Sequence, residues 1–203
     1  RLVEAFERRA GGPSAIIVVG DHGEGLGDHG ESQHGNLLYD STMRVPLVVA
    51  GPGVAAGTSD APVSIRRVYH TIVDWAGLGS ADSLRGESTD VVLGEAMKPY
   101  LEYGWQPQIM AVQGRQKAIF AGTTELYDVV ADPGEARDLS AGADLPAAMR
   151  AGLDDYPVPS PEAARAPAAL SAADRQTLAS LGYVSATAAP VVRKDAPRPV
   201  DMV

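Results

Sequence analysis

AIIVVGDHGEGLGDHGESQHG, Ala15 to Gly35, joins an unbroken apolar run to a polar, glycine-rich loop that holds three of the four histidines in the chain. The run Ala15 to Val19 is short and rich in β-branched residues, which predicts a strand buried on both faces, as in a parallel sheet. A loop at the carboxyl end of such a strand occupies the crevice where open α/β sheets bind ligands. Polar loops are ordinary turn chemistry. Three histidines gathered with Asp21, Asp28 and Glu31 behind one strand point instead to a site.

The histidine spacings, seven residues and then five, do not match the i, i+4 pair of a helical zinc protease, and the glycines argue against a helix. Asp21 and His22 are adjacent, so in a regular strand they would face opposite ways. To grip one ion they require a bend at the strand end, which the flanking Gly20 and Gly23 make inexpensive. A carboxylate and an imidazole form a mixed donor set: calcium prefers oxygen, while manganese and zinc accept imidazole. Two ligands are too few for any of these ions, and the chain offers no second acid cluster.

Outward from this loop, Leu2, Val3 and Phe6 share one face of a helix over residues 2–9, which Gly11 to Pro13 break. VPLVVA, Val45 to Ala50, predicts a second buried strand closed by a Gly-Pro-Gly turn. Residues 65–76 predict a helix with Gly77 at its C-terminal cap; His70 lies on it and is assigned no role. Ile109 to Ala121, with a turn at Gly114 to Gln116, and Thr124 to Val130 predict antiparallel strands. Together these give an α/β domain with a β-rich appendage over about residues 105–140. From residue 141 the composition shifts to Ala and Pro, reading as a linker over 141–203 that carries one short helix at 172–181, with Ser171 as N-cap and Gly182 as terminator.

The net charge of −9 repels phosphate backbones and excludes nucleic acid as a first partner. No run of about 18 apolar residues crosses a membrane. The absence of cysteine removes disulfides, thiolate metal sites and a cysteine nucleophile from this stretch.

DHGEGLGDHGESQHGNLLYDSTMRVPLVVAGPG, Asp21 to Gly53, resembles the second signature block of the sulfatases in the alkaline phosphatase superfamily. In that block a strand ends in Asp-His-Gly or Asp-Asn-Gly. Leu-Gly-x-His-Gly, a Lys or His, an aromatic-acid step and a strand opening with Val-Pro follow. GLGSADSLRGEST (Gly77 to Thr89), GRQKAIF and ELYDVVADPGEARDLS (Glu125 to Ser140) are similar to the family's later segments. LSAADRQTLASLGYV (Leu170 to Val184) is similar to the tail of bacterial sulfatases that continue into helical repeats.

The resemblance implies an alkaline-phosphatase-like sheet with flanking helices, of which this stretch is the C-terminal half. It implies Asp21 and His22 as a pair of metal ligands, for calcium in the first place with manganese as the alternative. His34 falls where a Lys or His reaches the sulfate and the leaving-group oxygen, and His29 falls at a loop-ordering position. Tyr39, Asp40, Tyr127 and Asp128 are implied as supports. The substrate implied is a sulfate ester, small molecule or glycan, and a helical-repeat domain after Val203 would suit the tail. The family's formylglycine nucleophile and paired N-terminal acids have no counterpart here, so the stretch alone is expected not to turn over. Export to the periplasm or cell exterior is a property of the family only. A phosphoryl-ester hydrolase or transferase of the same superfamily is the rival reading, and a non-catalytic interaction module is the reading from another class.

Overall fold

The computed structural model describes residues 1–12, 14–85, 91–158, 171, 173, 176 and 193–203. The element order is α1 (Leu2–Ala10), β1 (Ile16–Val19), α2 (Asp40–Met43), β2 (Leu47–Ala50), α3 (Arg66–Trp75), β3 (Val92–Ala96), α4 (Lys98–Tyr103), β4 (Gln108–Gln113), β5 (Gln116–Phe120), β6 (Thr124–Asp128) and α5 (Ala147–Asp154), followed by a 3₁₀ turn at Pro199–Asp201.

The two strands around the histidine loop differ from expectation. β1 and β2 pair with each other, antiparallel, with Val19 opposite Leu47. They form a two-stranded sheet whose Val18 and Val48 are 57% and 59% exposed. An apolar run shows that a strand wants cover on both faces, but it does not encode which neighbour it pairs with or in which direction. α1 likewise buries no residue among those described, although Leu2, Val3 and Phe6 share its apolar side.

α3 ends as the sequence predicts. Gly77 adopts a left-handed φ of 75°, its N–H donates to Asp74 O, and the Leu78 N–H donates back to Val73 O. That pair of bonds is the Schellman closure, which leaves few orphaned carbonyls at the helix end.

The main core belongs to a four-stranded antiparallel sheet ordered β3-β4-β5-β6. Successive side chains in a strand face opposite ways, and two apolar clusters obey this. On one face Ala96, Met110, Ile119 and Tyr127 pack with Leu37, Leu38 and Tyr39. On the other, Ile109, Ala111, Ala118 and Leu126 pack with Met149 and Leu153 of α5. The sheet therefore separates α5 from the tail of the histidine loop. Leu37 and Leu38 are each 1% exposed, and burial of that extent contributes about 1.5–3 kcal/mol per side chain. These two leucines moor the loop.

β3 and α4 were not expected. β3 contains Gly94 and Glu95, which break a strand-like pattern, yet a Cβ on Gly94 would lie 2.7 Å from Met110 Cε and 3.1 Å from Met43 Cε. The glycine admits two methionines that a larger residue would exclude.

The stretch expected as linker from residue 141 carries two packed pieces. α5 lays Met149 and Leu153 on the sheet. Residues 193–203 return to it: Pro199 is fully buried, the Gln106 N–H donates to Pro197 O, and the Gln106 amide reaches the carbonyls of Arg193, Lys194 and Ala196. Low-complexity Ala/Pro composition conceals such anchors, because each rests on one or two apolar residues. The helix expected over 172–181 falls almost entirely outside the described residues.

Candidate functional site

The loop after β1 is closely hydrogen-bonded. The Gly23 N–H donates to Thr42 O at 2.7 Å, Glu24 N–H to Ser41 O at 3.1 Å, Gly25 N–H to Gln33 O at 2.6 Å and Gly27 N–H to Glu31 O at 2.8 Å. A Cβ on Gly23 would lie 2.1 Å from Ser41 O, so only glycine lets the chain approach α2 this closely. The bend that Asp21 and His22 require is made against that helix.

As a result the two side chains are not splayed. Asp21 Oδ2 lies 3.8 Å from His22 Nε2, and both groups are exposed. The His22 backbone N–H donates to Asp21 Oδ1 at 3.0 Å. That bond, with the His22 ring nearby, holds the Asp21 carboxyl below its usual range. His22 Nδ1 lies 2.9 Å from Gly23 O. When it donates there, the Nε2 lone pair is left facing outward, the tautomer an imidazole ligand needs. Two donors each roughly 2.0–2.6 Å from one ion can be 3.8 Å apart, so the donor pair suits a divalent cation. It supplies only part of a coordination shell. Among the described residues no group of three or more His, Asp or Glu side chains is arranged to hold a metal.

His34 joins this pair. Its ring stacks on His22 with centroids 3.9 Å apart and planes 27° from parallel, and its Nδ1 lies 3.3 and 3.2 Å from the two carboxylate oxygens of Glu24. Asp21, His22, Glu24 and His34 thus form one exposed cluster. Glu24 carried no assignment from the sequence.

His29 is elsewhere. It has a left-handed φ of 48°, stacks on Tyr39 at 3.5 Å and places Nε2 3.1 Å from Glu135 O. Its ring ties the loop to the turn that follows β6 and is not part of the exposed cluster.

Beneath the loop lies a buried polar layer. Lys117, with no exposed side-chain surface, donates to Asp40 Oδ1 at 2.8 Å and forms an ion pair with Glu135 Oε1 at the same distance, out of line for a hydrogen bond. Glu135 Oε2 accepts the Asp40 N–H at 2.5 Å. Burial pushes the Glu135 carboxyl up, and Lys117 opposes that shift. Glu125 Oε2 accepts the hydroxyls of Tyr39 and Tyr127 at 3.0 and 3.1 Å, while Arg198 pairs with its other oxygen. Burial pushes both phenols far above their ordinary value, so they stay neutral donors. Asp128 pairs with Arg115 on the turn between β4 and β5, away from the cluster. Glu31 is 2% exposed, and its carboxylate accepts the N–H groups of Asn36 and Leu37 at 2.7 and 3.1 Å.

Lys117, Glu125 and Glu135 were missed as parts of the site. A signal existed for the first: Lys117 alternates with Ile119 on the inward face of an apolar strand, where a lone cation needs an acid.

Residues 1–78 match the family model described as sulfatase. Over that segment the chain is similar to the sulfatases. Choline-sulfatase of Rhizobium meliloti is 31% identical over 138 residues, covering 62% of this chain and 27% of that protein. Delta 4,5-hexuronate-2-O-sulfatase of Bacteroides thetaiotaomicron is 29% identical over 180 residues, covering 76% and 37%. The chain therefore spans between about a quarter and two fifths of the length of those relatives. Among solved structures, a 2-O GAG sulfatase is similar with a TM-score of 0.52 at 27% identity, over 70% of this chain and 35% of that one. The phosphonate monoester hydrolase of Agrobacterium radiobacter is similar with a TM-score of 0.50 at 26% identity, over 69% and 33%. The mixed α/β architecture with antiparallel sheets is that of these sulfatase structures. No described helix is long and apolar enough to cross a membrane.

Proposed function

We propose that this chain contributes part of the metal and substrate site of a sulfuric ester hydrolase, with the nucleophile supplied by residues outside the stretch. The observation that carries the reading is the convergence of Asp21, His22 and His34 on one exposed cluster at the end of β1. It is joined by the family match and by relatives named as sulfatases.

Asp21 Oδ2 and His22 Nε2 would hold a divalent ion, calcium in the first place with manganese as the alternative. When bound, such an ion would stabilise negative charge on the ester oxygens. The chain's own groups do the rest. His22 keeps Nε2 outward through its contact with Gly23 O. A protonated His34 offers an N–H to the anionic ester and passes a proton to the leaving alkoxide as the ester bond breaks. The buried layer of Lys117, Asp40 and Glu135 fixes the loop on which these groups sit. A sulfate ester, small molecule or glycan, is the substrate class.

A phosphoryl-ester hydrolase is the second reading, favoured by the likeness to a phosphonate monoester hydrolase. The test is made in the full-length enzyme. Asp21→Ala should abolish metal-dependent hydrolysis of an aryl sulfate and lower the bound metal. Unchanged turnover and metal content would overturn the role of Asp21. Faster turnover of an aryl phosphonate than of the aryl sulfate by the parent enzyme would select the second reading.

A further inference from the structure

We infer that Glu24 is a positioning residue for His34, fixing which imidazole nitrogen faces the substrate. Two contacts set the ring. The stack on His22 at 3.9 Å fixes its plane. The Glu24 carboxylate, with oxygens 3.3 and 3.2 Å from Nδ1, fixes its rotation within that plane.

Because Nδ1 and Nε2 lie on opposite edges of an imidazole, holding Nδ1 against Glu24 turns Nε2 away from it. Nε2 has no partner among the described residues. A carboxylate accepts only, so Nδ1 must carry the proton shared with Glu24. A second-layer carboxylate of this kind sets both tautomer and orientation of a working histidine.

Glu24 is itself held in place. Its N–H donates to Ser41 O, and the preceding Gly23 is pressed against the same helix. The orienting group is thus anchored to α2, and that helix is anchored through Asp40 to Lys117.

This inference rests on the reading of His34 as the group that meets the ester. In that reading Nε2–H is the proton given to the leaving oxygen. The His34 that remains is the neutral Nδ1–H form, which Glu24 favours, so one proton moves and the Glu24 contact persists throughout.

The first measurement needs no turnover. In long-range ¹⁵N–¹H spectra of the 203-residue chain at mildly alkaline pH, His34 should be the Nδ1–H tautomer. It should remain so in Glu24→Gln, whose amide oxygen still accepts, and shift toward Nε2–H in Glu24→Ala. Glu24 is well exposed, so neither change removes core packing. The same tautomer in the parent and in Glu24→Ala would overturn the inference. In the full-length enzyme, Glu24→Ala should lower kcat by about tenfold or more with KM little changed, and Glu24→Gln should restore most of it. Loss of bound metal in Glu24→Ala would also overturn the inference, since Glu24 would then be a ligand. If the parent enzyme hydrolyses no sulfate ester while the tautomer result holds, the functional reading falls and the orientation of His34 by Glu24 stands.

Discussion

Lys117 Nζ stands 2.8 Å from Glu135 Oε1, and the two side chains expose 0% and 1% of their surface. A charge pair so enclosed is costly to break, because the surviving partner keeps its charge and loses its counterion. Lys117→Met should lower stability by about 3–5 kcal/mol, read as a shift in the urea midpoint. Adding Glu135→Gln to that variant should recover part of the loss, since it removes one stranded carboxylate. No recovery would mean that the pair is not coupled.

Glu31 gathers the chain just before the two mooring leucines. Replacing it with Ala strands the Asn36 and Leu37 N–H groups, which face its carboxylate from a largely buried segment. The expected cost is about 1–3 kcal/mol. Amide hydrogen exchange at Asn36 and Leu37 should accelerate while exchange in β4 and β5 stays slow. Equal acceleration everywhere would show that Glu31 supports the whole domain and not the loop alone.

Gly25 has the same constraint as Gly23: a Cβ there would lie 2.4 Å from Glu31 O and 2.8 Å from Gln33 O, both backbone atoms. Gly25→Ala should cost about 1–3 kcal/mol through crowding and separate the His22 and His34 rings. The ring-proton shifts that report their stacking would move, whereas Gly27→Ala, which meets no atom within 4 Å but has a φ of 96°, should act through backbone strain alone. An unchanged His22–His34 stack in Gly25→Ala would refute the crowding argument.

Arg115, the principal cause, holds the Asp128 carboxyl below its ordinary 3.8, and the N–H groups of Ala131 and Val130 add to the effect. A depressed acid stabilises the fold above its unfolded value, and the contribution is lost as pH falls through the lower folded value. Thermal unfolding of Asp128→Asn should therefore lie below that of the parent near neutrality, with the gap narrowing as pH drops below about 4. A gap independent of pH would exclude the ionised form as the source.

What could be read in the sequence follows physical lines. Gly77 marked the end of α3, and the alternation in Ile109 to Ala121 marked paired strands, because each signal is local. The adjacency of Asp21 and His22 required a turn, and glycine at position 23 supplied it. The pairing of β1 with β2 was not legible, since direction and partner are settled by contacts distant in sequence. For the same reason Lys117, Glu125 and Glu135 escaped notice. Each has a partner 73–95 residues away, and no spacing rule spans such a distance. α5 was hidden by alanines and a proline whose composition resembles a spacer.

Val19 and Leu47 face one another across β1 and β2, so the histidine-bearing excursion leaves and re-enters through a single rung of the ladder. Insertions or deletions between those two residues would leave the rung intact. Reactive groups on this scaffold can be exchanged as a cassette, with selection free to redraft the chemistry while the frame that carries it stays in register.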